Sequence, residues 1–380
     1  MAFVKALCSK CDKEVEVDDV EEAWVCPHCS KPFVIEKGIR RYKSQHKAVI
    51  KKVRAVKKNP TDFEVKDGIL IKYKGDSAEV AIPEEVRIIG ENSFENNETL
   101  ETVVLHDNIA EISGYAFRGC KNLSEIKFPN SVVKIGEWAF RECISLKNII
   151  LPPQLTRIND SLFADCSALE TIEIPDTVSE IGIFAFSGCK SLVDLKLPKN
   201  LTIIGKYAFS GCEKLETMVI PEGVSLIEDH TFAECTALSA VSFPKGLKGI
   251  GQFAFKDCVN IHTIELPVGI LSVDGFSGCT GLRMIEIPER CTSIGDFSGC
   301  VNLETIRIPA SVASVNGGFE NCPKLLTVNW PNLAGGASNF PAYYEKEVER
   351  RKAMGLCLYC GGEFKLIGKT CKVCGKKKDY

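Results

Sequence analysis

Most of what would carry chemistry is missing from this sequence. Its 380 residues include only five histidines, none paired at metal-ligand spacing. There is no Gly-rich phosphate loop, no H-E-x-x-H helix and no nucleophile elbow, so enzyme chemistry lacks its usual carriers. No run of 18 apolar residues occurs, and no membrane-spanning helix is expected. The opening Met1-Ala-Phe-Val-Lys-Ala-Leu-Cys8 is too short and too soon interrupted for a signal peptide. A reducing cytosol is therefore the expected compartment. Neither sign of charge prevails: 47 Lys and Arg stand against 50 Asp and Glu, a net charge of −3. That balance argues against a chain built as a whole to coat nucleic acid or membrane.

What the sequence does have is a clock. From Pro83 to Pro331 one unit recurs, and residues Leu123 to Leu146 show it: Leu123, Ile126, Phe128, Pro129, Val132, Ile135, Gly136, Ala139, Phe140, Cys143, then Leu146 again. The cysteine slot falls at Cys120, Cys143, Cys166, Cys189, Cys212, Cys235 and Cys258, then at Cys279, Cys300 and Cys322. A fixed period in the twenties with Leu and Ile at set offsets predicts a leucine-rich solenoid, here of eleven coils of 21–23 residues over 83–333. Within a unit, Leu-x-x-Ile-x-Ile alternates like a short strand and Pro closes it. Gly136 is expected to permit the bend that follows. Ala139, Phe140 and Cys143 are expected to fill the convex side. One coil cannot bury these side chains alone and must bury them against its neighbours.

The phrase I-P-x-x-V-x-x-I-G-x-x-A-F-x-x-C-x-x-L-x-x-I resembles the BspA-like family of leucine-rich repeats over about two-thirds of the chain. The resemblance implies a β-rich solenoid that binds proteins, often on microbial surfaces, and it brings no catalytic residue. Asn97 stands in the first cysteine slot and His106 in the second proline slot. The last three coils lose one or two residues before Phe276, Phe297 and Phe319, as capping coils do.

Outside the repeats, cysteines dominate. Ten of the nineteen occupy the repeat slot, Cys291 stands alone, and eight form four Cys-x-x-Cys pairs at the two ends. The slot cysteines read as small buried hydrophobes with free thiols, since pairing neighbours two by two would break the repeat. In residues 1–36, Cys8 and Cys11 are followed by Cys26 and Cys29, the spacing of a Cys₄ zinc ribbon. In residues 357–380, Cys357 and Cys360 with Cys371 and Cys374 make a second, more compact set. Four thiolates leave no open coordination position, so two structural Zn²⁺ ions are expected. Both ends resemble small bacterial zinc ribbons. Between the first ribbon and the solenoid lie a basic amphipathic linker helix over 37–60 and a capping hairpin over 61–82, with its turn at Asp67-Gly68. Residues 334–356 read as a linker and short helix ended by Gly355.

Two surfaces of the solenoid are candidates for a partner. The outward strand positions, from Thr102 to Thr327 and Val104 to Asn329, are mixed in charge and free of aromatics. Two residues before each slot Phe runs a second column: Tyr115, Trp138, Phe184, Tyr207, His230 and Phe253, interrupted by Ser161. Those rings either stack on one another as packing or offer an aromatic strip to a partner, and hot-spot residue types favour this edge over the strand face. The expected function is a non-enzymatic scaffold, monomeric, mediating protein–protein interaction. The alternatives are nucleic-acid association through the ribbons and the 37–58 helix, which the acidic repeats disfavour, and surface adhesion of BspA type.

Overall fold

The computed structural model describes residues 60–193 and 195–325, five strands outside that stretch (Phe3–Leu7, Glu14–Asp18, Ala23–Val25, Pro32–Val34 and Thr327–Asn329), and part of 349–378. The 37–58 helix lies outside the described residues. Two compact units divide the chain: Met1–Pro60 with Glu79–Ile82, and Thr61–Ala78 with Pro83–Tyr380. The first carries two antiparallel hairpins, Phe3–Leu7 on Glu14–Asp18 and Ala23–Val25 on Pro32–Val34.

The second unit is the solenoid, and one coil explains it. Glu125–Lys127 is a three-residue strand whose middle Ile126 is buried while its neighbours are exposed. Pro129 follows, and its carbonyl accepts the Val132 N–H at 3.2 Å, closing a β-turn. Proline suits a position whose carbonyl is used and whose missing N–H is not. His106 makes the same turn with Ile109, and its Nε2 lies 2.9 Å from the Pro83 carbonyl. The chain then forms a two-residue strand, Lys134–Ile135, with Ile135 inward. Parallel pairing of such strands gives two ladders. In the first, Glu125, Ile126 and Lys127 face Thr102, Val103 and Val104; in the second, Lys134 and Ile135 face Glu111 and Ile112.

After the second strand the structure departs from expectation. Gly136 does not take a left-handed φ. A Cβ there would come within 2.7 Å of the Ser113 carbonyl carbon and 2.8 Å of the Gly114 Cα. The glycine is required by the close approach of the coil below, not by a bend. The bend is made by two other residues in each full-length coil: Trp138 at φ 62° and Glu142 at φ 63° in this one. Their N–H groups, and that of Phe140 between them, point along the stack to the carbonyls of Asp160, Ala164 and Leu162 in the next coil. This phenylalanine turn is a third line of hydrogen bonds that period-two reasoning could not foresee.

Inside that turn the rings form one column. The eleven slot residues from Phe94 to Phe319 are fully buried, and successive centroids lie 4.9–5.8 Å apart. Phe63–Lys66 pairs antiparallel with Ile69–Tyr73 around Asp67 and Gly68, both at positive φ. Ile69 and Leu70 then pair in parallel with Ile88 and Ile89, extending the second ladder. Tyr73 continues the ring column above Phe94 at 5.0 Å, with Phe63 on it at 5.1 Å. In the last coils the lost residues are those that made the first left-handed turn, and Gly275 and Gly317, at φ 123° and 143°, take over the corner. Near the C-terminus, residues 349–353 are helical and Gly355 ends them at φ 65°. The Leu356 N–H to Arg351 and Gly355 N–H to Lys352 bonds make a Schellman motif.

Phe186, at the middle of the column, stacks on Phe163 at 5.7 Å and on Phe209 at 5.5 Å. Phe186→Ala is expected to cost about 3–5 kcal/mol, measured by urea denaturation; a near-neutral value would refute the coil register.

Candidate interaction strip and cysteine sites

The residue two before each slot Phe sits in the left-handed region throughout the full-length coils. Tyr115, Trp138, Phe184, Tyr207, His230 and Phe253 have φ of 55–62°, and Ser161 has φ 53°. The left-handed region costs an L-residue with a bulky side chain about 1–2 kcal/mol. The position just before each cysteine is also left-handed, and there the chain uses Asn96, Gly119, Glu142, Asp165, Gly188, Gly211, Glu234, Asp257, Gly278, Gly299 and Asn321. Those are residues for which the region is cheaper, or at least short and polar in most cases. Rings at the first position are thus not the choice that backbone geometry alone would make.

The rings stack on one another. Phe184 lies 4.5 Å from Tyr207, Tyr207 lies 4.4 Å from His230, and His230 lies 5.1 Å from Phe253. Tyr115 and Trp138 form a separate pair at 5.7 Å. Each such contact is worth about 0.5–1.5 kcal/mol beyond area burial, enough to offset much of the backbone cost. Burial lowers the His230 pKa despite the carboxylate of Asp229, so the ring stacks neutral at ordinary pH. The strip remains open along one side: Phe184 is 39% exposed and the other five rings are half-buried. Its faces are used in stacking and its edges are presented outward. Where Ser161 interrupts it, the column ends in cations. Arg141 lies 4.4 Å from the Trp138 ring centre and 3.4 Å from the Asp165 carboxylate, while Arg118 lies over both Tyr115 and Trp138. Sequence reasoning missed both arginines, although each stands three residues after the ring it covers.

The strand face has no comparable feature. Ile150, Val219 and Met284 are exposed singly among charged and polar neighbours. Pairs such as Arg307–Glu286, 2.8 Å apart, are solvent-facing and contribute little.

The repeat cysteines are free and buried. Each of the ten slot thiols donates to the carbonyl of the slot Phe one coil back, as Cys143 Sγ does to Phe117 at 3.2 Å, while Cys291 Sγ donates to Ser293 at 3.1 Å. That carbonyl also accepts the cysteine N–H of its own coil, here Cys120 at 3.1 Å. Cysteine thus fills a small apolar slot and offers a weak donor to a buried oxygen. Of the terminal cysteines, Cys357 and Cys371 are described and buried, with Cys371 bridged to Phe364. Cys8, Cys11, Cys26, Cys29, Cys360 and Cys374 lie outside the described residues. In sequence, Cys8 and Cys11 fall between the first two paired strands, and Cys26 and Cys29 between the second two. Among the described residues no cluster of three or more metal-ligating side chains occurs, and no helix is long and apolar enough to cross a membrane.

A family model described as "BspA type Leucine rich repeat region" matches residues 72–179, 156–275 and 270–335. A leucine-rich cell surface protein of Faecalibacterium prausnitzii is 27% identical, with 73% of this chain and 94% of that one covered and a TM-score of 0.46. The leucine-rich repeat protein of T. pallidum is 26% identical over 54% of this chain and 90% of that one, TM-score 0.40. One from Bacteroides ovatus is 24% identical over 72% and 85%, TM-score 0.43. No curated protein matches the chain.

Burial pushes the thiols of Cys120, Cys235 and Cys279 up to about 12, against 9.0 unperturbed. The neutral thiol is then favoured in the fold. Below pH 9 nothing is lost, and between 9 and 12 each such group removes about 1.4 kcal/mol per pH unit because only the unfolded chain ionises. Circular dichroism at increasing pH should show cooperative unfolding begin above about pH 9, and substituting Ala at Cys120, Cys235 and Cys279 together should move it higher.

Proposed function

Because this chain belongs to the BspA-type leucine-rich repeat family, we propose that it is a non-enzymatic scaffold whose solenoid binds a protein partner. The observation that carries this reading is the half-exposed ring strip from Tyr115 to Phe253, held at left-handed backbone positions. Aromatic and Arg side chains are the usual hot-spot types, and Trp138 with Arg118 and Arg141 combines them on one patch. The strand ladders carry the strip rather than compete with it. A partner covering a standard interface of about 800 Å² would span several coils.

The zinc-ribbon termini complete or tether the solenoid in this reading. Cys8, Cys11, Cys26 and Cys29 would hold one structural ion, and Cys357, Cys360, Cys371 and Cys374 another. The hairpins flanking the first set, and the burial of Cys357 and Cys371 in the second, fit that role. Bound there, zinc would supply folding free energy and no chemistry. The column of unpaired thiols favours a reducing compartment, the cytoplasm, over the surface adhesion seen as the alternative.

Two measurements test this. With a partner captured from the native host by the full chain, Trp138→Ala and Tyr207→Ala should each weaken binding at least tenfold while Thr171→Ala and Thr305→Ala on the strand face do not. The reverse pattern would move the site to the strands. Separately, metal analysis of protein purified without added zinc should give about two equivalents of zinc, and Cys11→Ser and Cys360→Ser about one each. Iron, or oxidised thiols without metal, would overturn the zinc assignment and the compartment with it.

A further inference from the structure

The three lines of hydrogen bonds between coils are not equally continuous. The phenylalanine turn bonds every step of the full-length coils. The first strand ladder is also interrupted at 263–265, which forms no strand, but both ladders part together at two steps. The second ladder ends at Lys134–Ile135 and resumes at Arg157–Ile158, then ends at Ile203–Ile204 and resumes at Leu226–Ile227. In the first ladder, Glu125–Lys127 does not pair with Asn148–Ile150, and among the described residues Thr217–Val219 pairs only with Ala240–Ser242.

The hydrogen bonds just before the second strand follow the same division. Ser179, Thr202 and Lys248 donate their N–H to the coil below, at 3.0, 2.9 and 2.8 Å. Among the described residues, Thr156 and Ser225, in the same position of the two parted steps, make no such bond. After the strand, Gly182 and Gly205 donate to Ile158 and Ile181 at 2.8 Å each. At the first parted step the residue is Asn159, whose side-chain Nδ2 reaches the Ile135 carbonyl at 2.6 Å in place of its backbone N–H. At the second it is Glu228, and its backbone N–H makes no bond to Ile204. Ser113, Asp274 and Asn316 keep the backbone bond at 2.8, 2.9 and 2.7 Å, so a side chain at this slot does not by itself part the coils. At Asn159 it is the side-chain amide that takes the carbonyl instead.

The turn side holds across both steps. At the first, Trp138, Phe140 and Glu142 donate to Asp160, Leu162 and Ala164 at 3.1, 3.1 and 2.8 Å, and Cys166 Sγ reaches Phe140 at 3.1 Å. At the second, Tyr207, Phe209 and Gly211 donate to Asp229, Thr231 and Ala233 at 3.1, 2.9 and 2.8 Å. Each parted step therefore keeps its regular backbone bonding along the phenylalanine turn, while the two strand edges lose their ladder pairing and carry at the first step only side-chain bonds, Asn159 Nδ2 to Ile135 and Gln154 Nε2 to the Asn130 carbonyl at 2.9 Å; that is the geometry of a hinge.

We infer that two seams, between residues 145 and 146 and between 214 and 215, divide the solenoid into three blocks that open independently, pivoting on the phenylalanine turn. In an uninterrupted repeat array, protection decays smoothly from the middle to the ends, since every interface is alike. Seams replace that gradient with steps, because opening free energy follows the bonds that must break locally.

Hydrogen–deuterium exchange of the full chain, read by mass spectrometry, decides the matter. Peptides covering 154–159 and 223–228 should exchange at least tenfold faster than those covering 177–182 and 246–251; equal rates would overturn the seams. At sub-denaturing urea, protection along the phenylalanine turn should change in steps at the two boundaries, and a smooth gradient from the ends would overturn the independent blocks. Asn159→Gly should slow exchange at 154–159 to the level of 177–182 and leave 223–228 unchanged. An unchanged rate in that folded variant would overturn the role given to the Asn159 side chain. Should the variant not fold, the two wild-type comparisons still decide.

Discussion

Everything in the solenoid depends on the phenylalanine turn satisfying the coil beside it. A turn buries backbone groups that no helix or sheet of its own can pair, and unpaired buried groups are expensive. Here, between one full-length coil and the next, three N–H groups reach three carbonyls, while a ring stacks on a ring and a thiol reaches back to a carbonyl. The strands are short, two or three residues, and both ladders part together at two steps. The turn does not part among the full-length coils. The fold is β-rich in composition, yet its continuous element is a column of turns.

That arrangement also generates the candidate site. To aim alternate N–H groups along the stack, the turn needs two left-handed residues per coil. One of them, before the cysteine, is filled mostly by Gly, Asn and Asp as conformational preference dictates. The other projects outward and carries rings. Stacking between successive rings is available at this position because the coil spacing happens to suit aromatic contact, 4.4–5.7 Å between centroids. The architecture thus lends a ladder of rings to the surface without using the core to do so.

Much of this was legible in the sequence, and the misses have physical causes. The period located every coil, the buried Ile and Leu positions and the Phe column, because spacing at a fixed interval needs no knowledge of backbone conformation. The hairpin was legible because Asp67-Gly68 is a strong turn signal. Gly136 was misread as a bend, since glycine signals both left-handed backbone and close approach, and only contact distances separate the two. The left-handed rings were not legible, because aromatics are a poor choice there by propensity. The arginines over Trp138 and the seam at Asn159 depend on which side chain meets the neighbouring coil, and a pattern shared by all coils hides such differences. The ligand sets proposed for the two ends rest on cysteine spacing alone.

The shortened coils bear on how such a protein changes over time. Cys258 to Cys279 and Cys279 to Cys300 each drop two residues, all from the corner that would have carried a ring, while Phe276 and Phe297 keep their places in the column at 5.3 and 5.8 Å. Deletions at that corner erase a surface feature and leave the interior intact. Lineages can therefore lengthen, shorten or interrupt the outward strip by insertion and deletion as well as by substitution. Recognition and architecture are free to evolve at different rates in one repeating unit.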